Sequence, residues 1–148
     1  MSLDISELQR RGEAGSCVNQ CILGLSFLHG DSVPVDYAEA FRWLSLAAKQ
    51  GASRAVLNLA YMYVNGLGVP QNVPEAIRLY EAVGKPSDSS DAFAARLELA
   101  RIFSRGLGVP KDKQTAARWY SSLLAMSDEI ERSEEIQEAR AYLLAHSG

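Results

Sequence analysis

The sequence predicts an all-α fold: an α/α superhelix (solenoid) of three antiparallel helix pairs of about 36–40 residues, with capping helices at its ends. The first observation behind this prediction is that one multi-residue pattern occurs three times along the 148 residues. The second is that each copy carries residues that end one helix and begin another at matching places. A single helix pair cannot bury its apolar faces alone, so the copies are expected to stack.

The three copies align over residues 23–36, 59–72 and 99–112. Their shared glycine recurs at Gly30, Gly66 and Gly106, which are 36 and 40 residues apart. The four additional residues in the second interval fit a loop at 84–90 that is rich in turn-forming residues.

The first helix of each copy is predicted at about residues 16–29, 53–65 and 91–105. The glycine directly after it is the expected left-handed C-cap, because glycine adopts a positive φ without steric cost. Proline follows four residues later, at Pro34, Pro70 and Pro110, and prevents the first helix from continuing.

The second helix of each copy is predicted at about residues 37–50, 73–83 and 113–125. Asp36, Asn72 and Asp112 stand directly before it and are good N-caps. Glu39 and Glu75 follow their caps by three residues, which is the spacing of a capping box.

Small and large residues at matching positions indicate how the two helices pack. Gly24, Ala60 and Ala100 are small enough to let the second helix approach the first closely. The large apolar surface comes from the aromatic residues Phe27, Tyr63, Phe103, Trp43 and Trp119. Since such rings bury about 150–250 Å² each, a core role is expected for them.

Both ends of the chain fit the same picture. Residues 8–15 align with 44–51 and look like the tail of a preceding second helix, which is an N-terminal cap or the sign of a longer array. Acidic residues crowd the start of a last helix that ends at about Ala145, namely Asp128, Glu129, Glu131, Glu134, Glu135 and Glu138. We interpret them as the solvated face of a capping helix, with a charged docking surface as the alternative. The expected organisation is one domain over 1–148, divided into 1–15, 16–51, 52–85, 90–126 and 127–148.

The composition argues against several classes of protein. Fifteen Lys and Arg against 18 Asp and Glu give a net charge of −3, so nucleic-acid binding is not expected. No apolar run approaches the roughly 18 residues of a membrane span, and no secretory signal is recognisable. A cytoplasmic location is favoured, and a periplasmic one stays open if the chain is a fragment of an exported protein.

Catalytic and metal-binding patterns are missing from the sequence. Cys17, Cys21, His29 and His146 do not have the spacing of a zinc site. Free thiols packed as small apolar groups are the favoured interpretation of the cysteines, and a redox pair or small-ligand site beside His29 is the alternative. No enzymatic activity, no metal and no cofactor are expected.

The order Leu-Gly/Ala-x-x-aromatic-x-x-Gly-x-Gly/Ser-Val-x-x-Asp/Asn, then Ala-x-x-Trp/Leu, resembles the Sel-one-like repeat (SLR), a relative of the tetratricopeptide repeat. The likeness covers about residues 16–125 and is strongest at 59–76. It departs at Ser32, where the other copies have glycine, and at Leu79, which replaces tryptophan. The resemblance implies a non-enzymatic scaffold or adaptor that assembles protein complexes.

The resemblance also implies a concave groove lined by the first helices. Its lining is expected at Leu25, His29, Arg54, Tyr61, Asn65, Arg101 and Arg105, together with Val18, Cys21, Leu57, Ala94 and Leu97. Since this lining grades from apolar to basic, we expect a protein or peptide partner with apolar residues and an acidic group or C-terminal carboxylate. A purely solvated role is the alternative for Arg101 and Arg105. For the whole chain the alternative is a self-assembling structural module, and the oligomeric state is left open.

Overall fold

A computed structural model describes residues 4–85, 89–126 and 134–147 of the chain. Within these ranges it contains eight α-helices and no strand, so the predicted all-α class is confirmed. The helices are α1 (Ile5–Glu13), α2 (Cys17–His29), α3 (Tyr37–Lys49), α4 (Ser53–Asn65), α5 (Val73–Gly84), α6 (Ser90–Arg105), α7 (Lys113–Ala125) and α8 (Glu134–Ala145).

The chain divides into two compact units, Met1–Ala76 and Ile77–Gly148. In the first unit α1 packs against α2, α2 against α3, and α3 against α4, while α2 also touches α4. In the second unit α6 packs against α7, and α7 packs against α8. Neighbours along the chain are therefore neighbours in space within each unit, as expected for stacked helix pairs.

The predicted helix bounds of the three copies agree with the structure to within one residue at each end. The difference lies between α5 and α6, where Gly84 still belongs to α5 and Ser90 already belongs to α6. The connection is therefore shorter than the loop expected at 84–90, and its residues 86–88 lie outside the described ranges.

The first helices end as the glycines predict. Gly30, Gly66 and Gly106 have φ angles of +78°, +64° and +71°, which is the left-handed region. Each glycine N–H donates a hydrogen bond to the carbonyl four residues earlier in its helix. The free carbonyls of the last turn thus gain a donor, and the chain turns away from the helix axis.

One backbone hydrogen bond connects the start of every second helix to its first helix. The N–H of the N-cap residue donates to the carbonyl of the aromatic residue near the end of the first helix. The pairs are Asp36 to Phe27 at 2.9 Å, Asn72 to Tyr63 at 2.9 Å, and Asp112 to Phe103 at 3.0 Å. This bond sets the position of the second helix along the first in all three copies.

The same bond explains why the predicted capping box of Asp36 and Glu39 forms only by half. The side chain of Asp36 does accept from the N–H of Glu39 at 3.0 Å, as an N-cap should. The N–H of Asp36, however, already donates to Phe27, so the carboxylate of Glu39 is not needed there. Glu39 instead binds Arg42 and the indole N–H of Trp43.

Close contact between the paired helices depends on Gly24. A Cβ atom at this position would lie 2.5 Å from Cγ of Leu44, a distance that real Cβ contacts do not show. Around this contact Leu23 and Trp43 are fully buried and form a core cluster with Leu8 of α1. In the second unit the corresponding cluster contains Leu97, Ala100, Tyr120, Leu123 and Ala139.

We expect Gly24→Ala to lower the free energy of unfolding by about 1–2 kcal/mol, although alanine is the better helix former. The overpacking against Leu44 outweighs the gain in helix propensity. Gly84→Ala is the matched control, because a Cβ there would meet its nearest neighbour, Arg96, at 3.4 Å. It should leave stability unchanged or raise it by up to about 1 kcal/mol. Urea unfolding of both variants measures the difference, and equal effects would contradict this packing.

Ser32 is the described non-glycine residue with a positive φ, at +66°, and it corresponds to Gly68 and Gly108 at +70° and +68°. A left-handed conformation costs an ordinary residue roughly 1–2 kcal/mol. Glycine removes this cost, but it also raises the conformational entropy of the unfolded chain, which offsets part of the gain in stability. We therefore expect Ser32→Gly to raise the free energy of unfolding by up to about 1 kcal/mol, measured in the same urea titrations. A destabilised Ser32→Gly variant would disprove the assigned backbone conformation.

Candidate functional site

In the first unit the predicted groove residues lie on α2 and α4, which touch each other. Val18 is 68% exposed and Tyr61 is 47% exposed, which is high for large apolar side chains. Leu25 and Cys21 on the same row are half-buried. These four residues of α2 and α4 are together called here the first-helix surface.

Three polar residues of the predicted groove lie on the same two helices. His29, Arg54 and Asn65 are exposed, and His29 is the last residue of α2. The side-chain amide of Asn65 donates to the carbonyl of Tyr61 at 2.9 Å, so it is held against its own helix.

The structure places two predicted lining residues in the core. Leu57 and Leu97 are only 9% and 6% exposed. Leu97 packs in one cluster with Ala139 of α8, because the following helix covers this position. Ala94, the predicted counterpart at the start of α6, is half-buried.

In the second unit Arg101 and Arg105 meet the carboxylate of Glu138 on α8. Arg101 donates to Glu138 through Nη2 at 2.7 Å and through Nε at 3.2 Å, and its Nη1 reaches Glu98 at 3.1 Å. Nη2 of Arg105 lies 3.6 Å from the same carboxylate. The hydroxyl of Tyr120 donates to Glu138 Oε1 at 2.7 Å. The basic pair is thus neither purely solvated nor free, because a residue of this chain already engages it.

The contacts around Glu138 shift three pKa values. Hydrogen bonds from Arg101, and then from Tyr120, lower the pKa of Glu138. The hydrogen bonds to Glu138 raise the pKa of Arg101. Burial, followed by the hydrogen bond to Glu138, raises the pKa of Tyr120 to about 12. At neutral pH, Glu138 and Arg101 are therefore both charged, and Tyr120 is a neutral donor.

The sequence analysis missed Glu138, which it assigned to a solvated acidic face. The side chain of Glu138 is only 27% exposed, whereas Glu134 is exposed as predicted. Three other acidic residues of that run, Asp128, Glu129 and Glu131, lie outside the described ranges.

A sequence signal for the role of Glu138 does exist, because α8 repeats the pattern of a first helix. With Glu138 in the place of Leu99, Ala139 matches Ala100 and Tyr142 matches Phe103. Ala139 is fully buried, as Ala100 is.

The cysteines are not bridged, and His146 packs against an aromatic ring. Both cysteines are free thiols, and Cys17 Sγ donates to the carbonyl of Ala47 at 3.7 Å. His146 stacks on Tyr142 with a centroid distance of 4.2 Å. Within the described residues, no group of three or more His, Cys, Asp and Glu side chains has a metal-binding arrangement. None of the helices described is both long and apolar enough to span a bilayer.

Helix pairs whose first helices all end at a left-handed glycine, and which pack in chain order within each unit, define a helical-repeat protein. The chain matches the Sel1 repeat over residues 20–51, 53–82 and 94–128. It therefore belongs to the Sel1 repeat family, and the resemblance to Sel-one-like repeats is confirmed. Proteins built from such repeats commonly act as interaction scaffolds and are typically non-catalytic.

Solved structures of Sel1 repeat proteins share the fold. A Sel1 repeat protein from Oxalobacter formigenes has a TM-score of 0.66 and 29% identity, with 93% of this chain and 98% of that one covered. The protective antigen c5321 of uropathogenic Escherichia coli, which displays an SLR fold, has a TM-score of 0.75 and 25% identity. Here 97% of this chain and 29% of the antigen are covered.

Two curated relatives are similar over a shorter stretch. Protein sel-1 homolog 2 of Rattus norvegicus is 35% identical over 74 residues, and that of Mus musculus is 34% identical over 74 residues. In both cases the match spans 49% of this chain and 11% of the relative.

We expect Glu138→Gln to lower the free energy of unfolding by about 1 kcal/mol at neutral pH, because charge-assisted hydrogen bonds to a partly exposed carboxylate are lost. The folded-state pKa of Glu138 lies below the unfolded value of about 4.3, so its stabilisation is present above that pH. It is lost as the pH falls through the folded-state value. The difference between wild type and variant should therefore shrink below about pH 4.

Urea unfolding at several pH values measures this difference, and Glu134→Gln is the matched control. It removes one carboxylate from the exposed first turn of the same helix. A Glu138→Gln deficit that stays constant down to pH 3, about one unit below the unfolded-state pKa, would contradict the ion-pair assignment.

Proposed function

We propose that this chain is a non-enzymatic scaffold that binds a peptide or protein partner through the first-helix surface. The observation that carries the proposal is the exposure of Val18 and Tyr61 on adjacent first helices. Tyrosine supplies a large contact area at low entropic cost, which is why it is frequent at interfaces.

The chemistry of the surface indicates what the partner contributes. Val18, Leu25 and Tyr61 offer apolar contacts, so the partner is expected to insert apolar or aromatic side chains. His29, Arg54 and Asn65 offer polar contacts beside them. We therefore expect the partner to be an amphipathic or extended segment whose polar groups face His29, Arg54 and Asn65.

An acidic partner group would need to compete with this chain's own carboxylate at Arg101 and Arg105. Arg101 is held by Glu138 and Glu98, whereas Arg105 is more exposed and lies farther from Glu138, at 3.6 Å. We therefore place the partner contact on α2 and α4 of the first unit. In the second unit, Arg105 is the more accessible arginine for a carboxylate.

The test uses a random peptide library displayed on phage and selected on the full chain. Enriched peptides are synthesised, and their dissociation constants are measured by fluorescence anisotropy. The double variant Val18→Ser/Tyr61→Ser should weaken binding at least about tenfold, because both apolar contacts are lost.

A matched control comes from the same unit. Val35 and Tyr37 are 51% and 39% exposed, but Val35 lies two residues before α3 and Tyr37 is its first residue. Val35→Ser/Tyr37→Ser should bind as wild type does, and circular dichroism checks that both double variants are folded. Peptides that bind both double variants equally well would refute the proposed surface, as would the absence of any enrichment.

A further inference from the structure

In the second helix of the first repeat, an arginine and a tryptophan both donate hydrogen bonds to one glutamate carboxylate. Oε2 of Glu39 accepts a hydrogen bond from Nη2 of Arg42 at 2.9 Å. The same oxygen accepts from the indole N–H of Trp43 at 3.1 Å. The guanidinium of Arg42 also lies 4.1 Å from the ring centroid of Trp43.

The third repeat keeps the two donors and lacks the carboxylate. Positions 76 residues apart correspond, so Arg118 and Trp119 take the places of Arg42 and Trp43. Thr115 stands where the first repeat has Glu39. Its hydroxyl donates to Asp112 Oδ2 at 2.7 Å and does not replace the missing acceptor.

The two tryptophans occupy corresponding positions. Cζ3 of Trp43 is the nearest atom that a Cβ on Gly12 would meet, and Cζ3 of Trp119 is the third nearest, after Arg96 and Ala95, that a Cβ on the corresponding Gly84 would meet. The distances are 2.8 Å and 3.8 Å, so Trp119 packs more loosely on its glycine. Trp43 is fully buried, whereas Trp119 remains partly exposed.

A cavity of about 520 Å³ opens beside Trp119. It is lined by Glu81, Phe103, Thr115, Arg118, Trp119 and Ser122. Ser122 corresponds to Leu46, which packs on the core cluster of the first repeat. The side chains at positions 115 and 122 are therefore shorter than their counterparts in the first repeat, which leaves this space open. The cavity volume is within the range of small-ligand sites.

We propose that this cavity binds a monocarboxylate with an apolar body. The carboxylate takes the place that the Glu39 side chain holds in the first repeat and accepts from Arg118 and the indole N–H of Trp119. The apolar body packs on Phe103 and Trp119. Among the described residues, no carboxylate lies within 4.0 Å of the Arg118 guanidinium, and Asp112 attracts it only from a longer distance, so its N–H groups can donate to a ligand.

Glu81 gives the site selectivity. Glu81 lines the cavity, and its carboxylate lies 3.7 Å from Nζ of Lys85. A second carboxylate on the ligand would meet a like charge there, so dicarboxylates should bind more weakly than monocarboxylates. A ligand with a hydroxyl or amide group toward Glu81 is tolerated, since these groups donate hydrogen bonds.

The experiment is a titration of the full chain with 3-phenylpropionate to about 20 mM, because a ligand this small binds weakly even in a good site. The two indole N–H resonances are followed by nuclear magnetic resonance and assigned with Trp119→Phe. The Trp119 resonance should shift and saturate. The Trp43 resonance should not move, because the indole N–H of Trp43 already donates to Glu39. Phenylsuccinate should bind at least about threefold more weakly, owing to Glu81.

Thr115→Glu is the decisive variant, because it restores the carboxylate of the first repeat and is not expected to disturb folding. It should raise the dissociation constant for 3-phenylpropionate at least about tenfold, since the introduced carboxylate takes both donors. Gln114→Glu adds the same charge at the neighbouring exposed position and should change the constant by less than about threefold. Arg118→Gln should weaken binding about tenfold.

Two peptide ligands test whether the cavity prefers a free acid or the C-terminus of a polypeptide. An acetylated pentapeptide that ends in phenylalanine with a free carboxylate is compared with its C-terminal amide. A peptide acid that binds more tightly than 3-phenylpropionate identifies a protein C-terminus as the ligand, and the reverse order identifies a free acid. An unmoved Trp119 resonance, or equal shifts with 3-phenylpropanol, would overturn the proposal.

Discussion

The hydrogen bond from the N-cap of each second helix to the aromatic carbonyl of its first helix is the constraint on which the rest of the structure depends. It joins Asp36 to Phe27, Asn72 to Tyr63 and Asp112 to Phe103 at 2.9–3.0 Å. Because the cap residue is fixed at that height, the small residue of the first helix lies opposite the same turn of the second. The left-handed glycine that ends each first helix turns the chain so that this bond can form.

The sequence was sufficient for the helices and insufficient for the side-chain partners. Glycine caps, prolines and N-cap residues act locally, so their positions predicted the helix ends to within one residue. Glu39 had the spacing of a capping box, yet its carboxylate binds Trp43, because a tertiary backbone bond had removed its expected donor. The burial of Leu57 and Leu97 likewise depends on packing against neighbouring elements, which no local pattern specifies.

Glu138 shows how the repeat accepts a charge at an apolar position. Leu8 of α1 and Leu23 of α2 share a buried cluster. Their counterparts by alignment are Tyr120 and Glu138, which form a hydrogen bond of 2.7 Å. The carboxylate is stable there because Arg101 neutralises it and Tyr120 donates to it. A paired glutamate thus stands at position 138, where the corresponding position 23 has leucine, and the helices pack in the same order.

The proposed carboxylate cavity is preorganised by the bond that aligns the helices. The carbonyl of Phe103 accepts the hydrogen bond from Asp112, and Phe103 also lines the cavity. Asp112 in turn holds Thr115 through its backbone N–H at 3.0 Å and its hydroxyl at 2.7 Å. Two walls of the cavity are thus fixed before any ligand arrives, so little entropy is lost on binding. The first-helix surface lies on α2 and α4 and shares no residue with these walls, which allows a partner and a small carboxylate to be bound by separate parts of the chain.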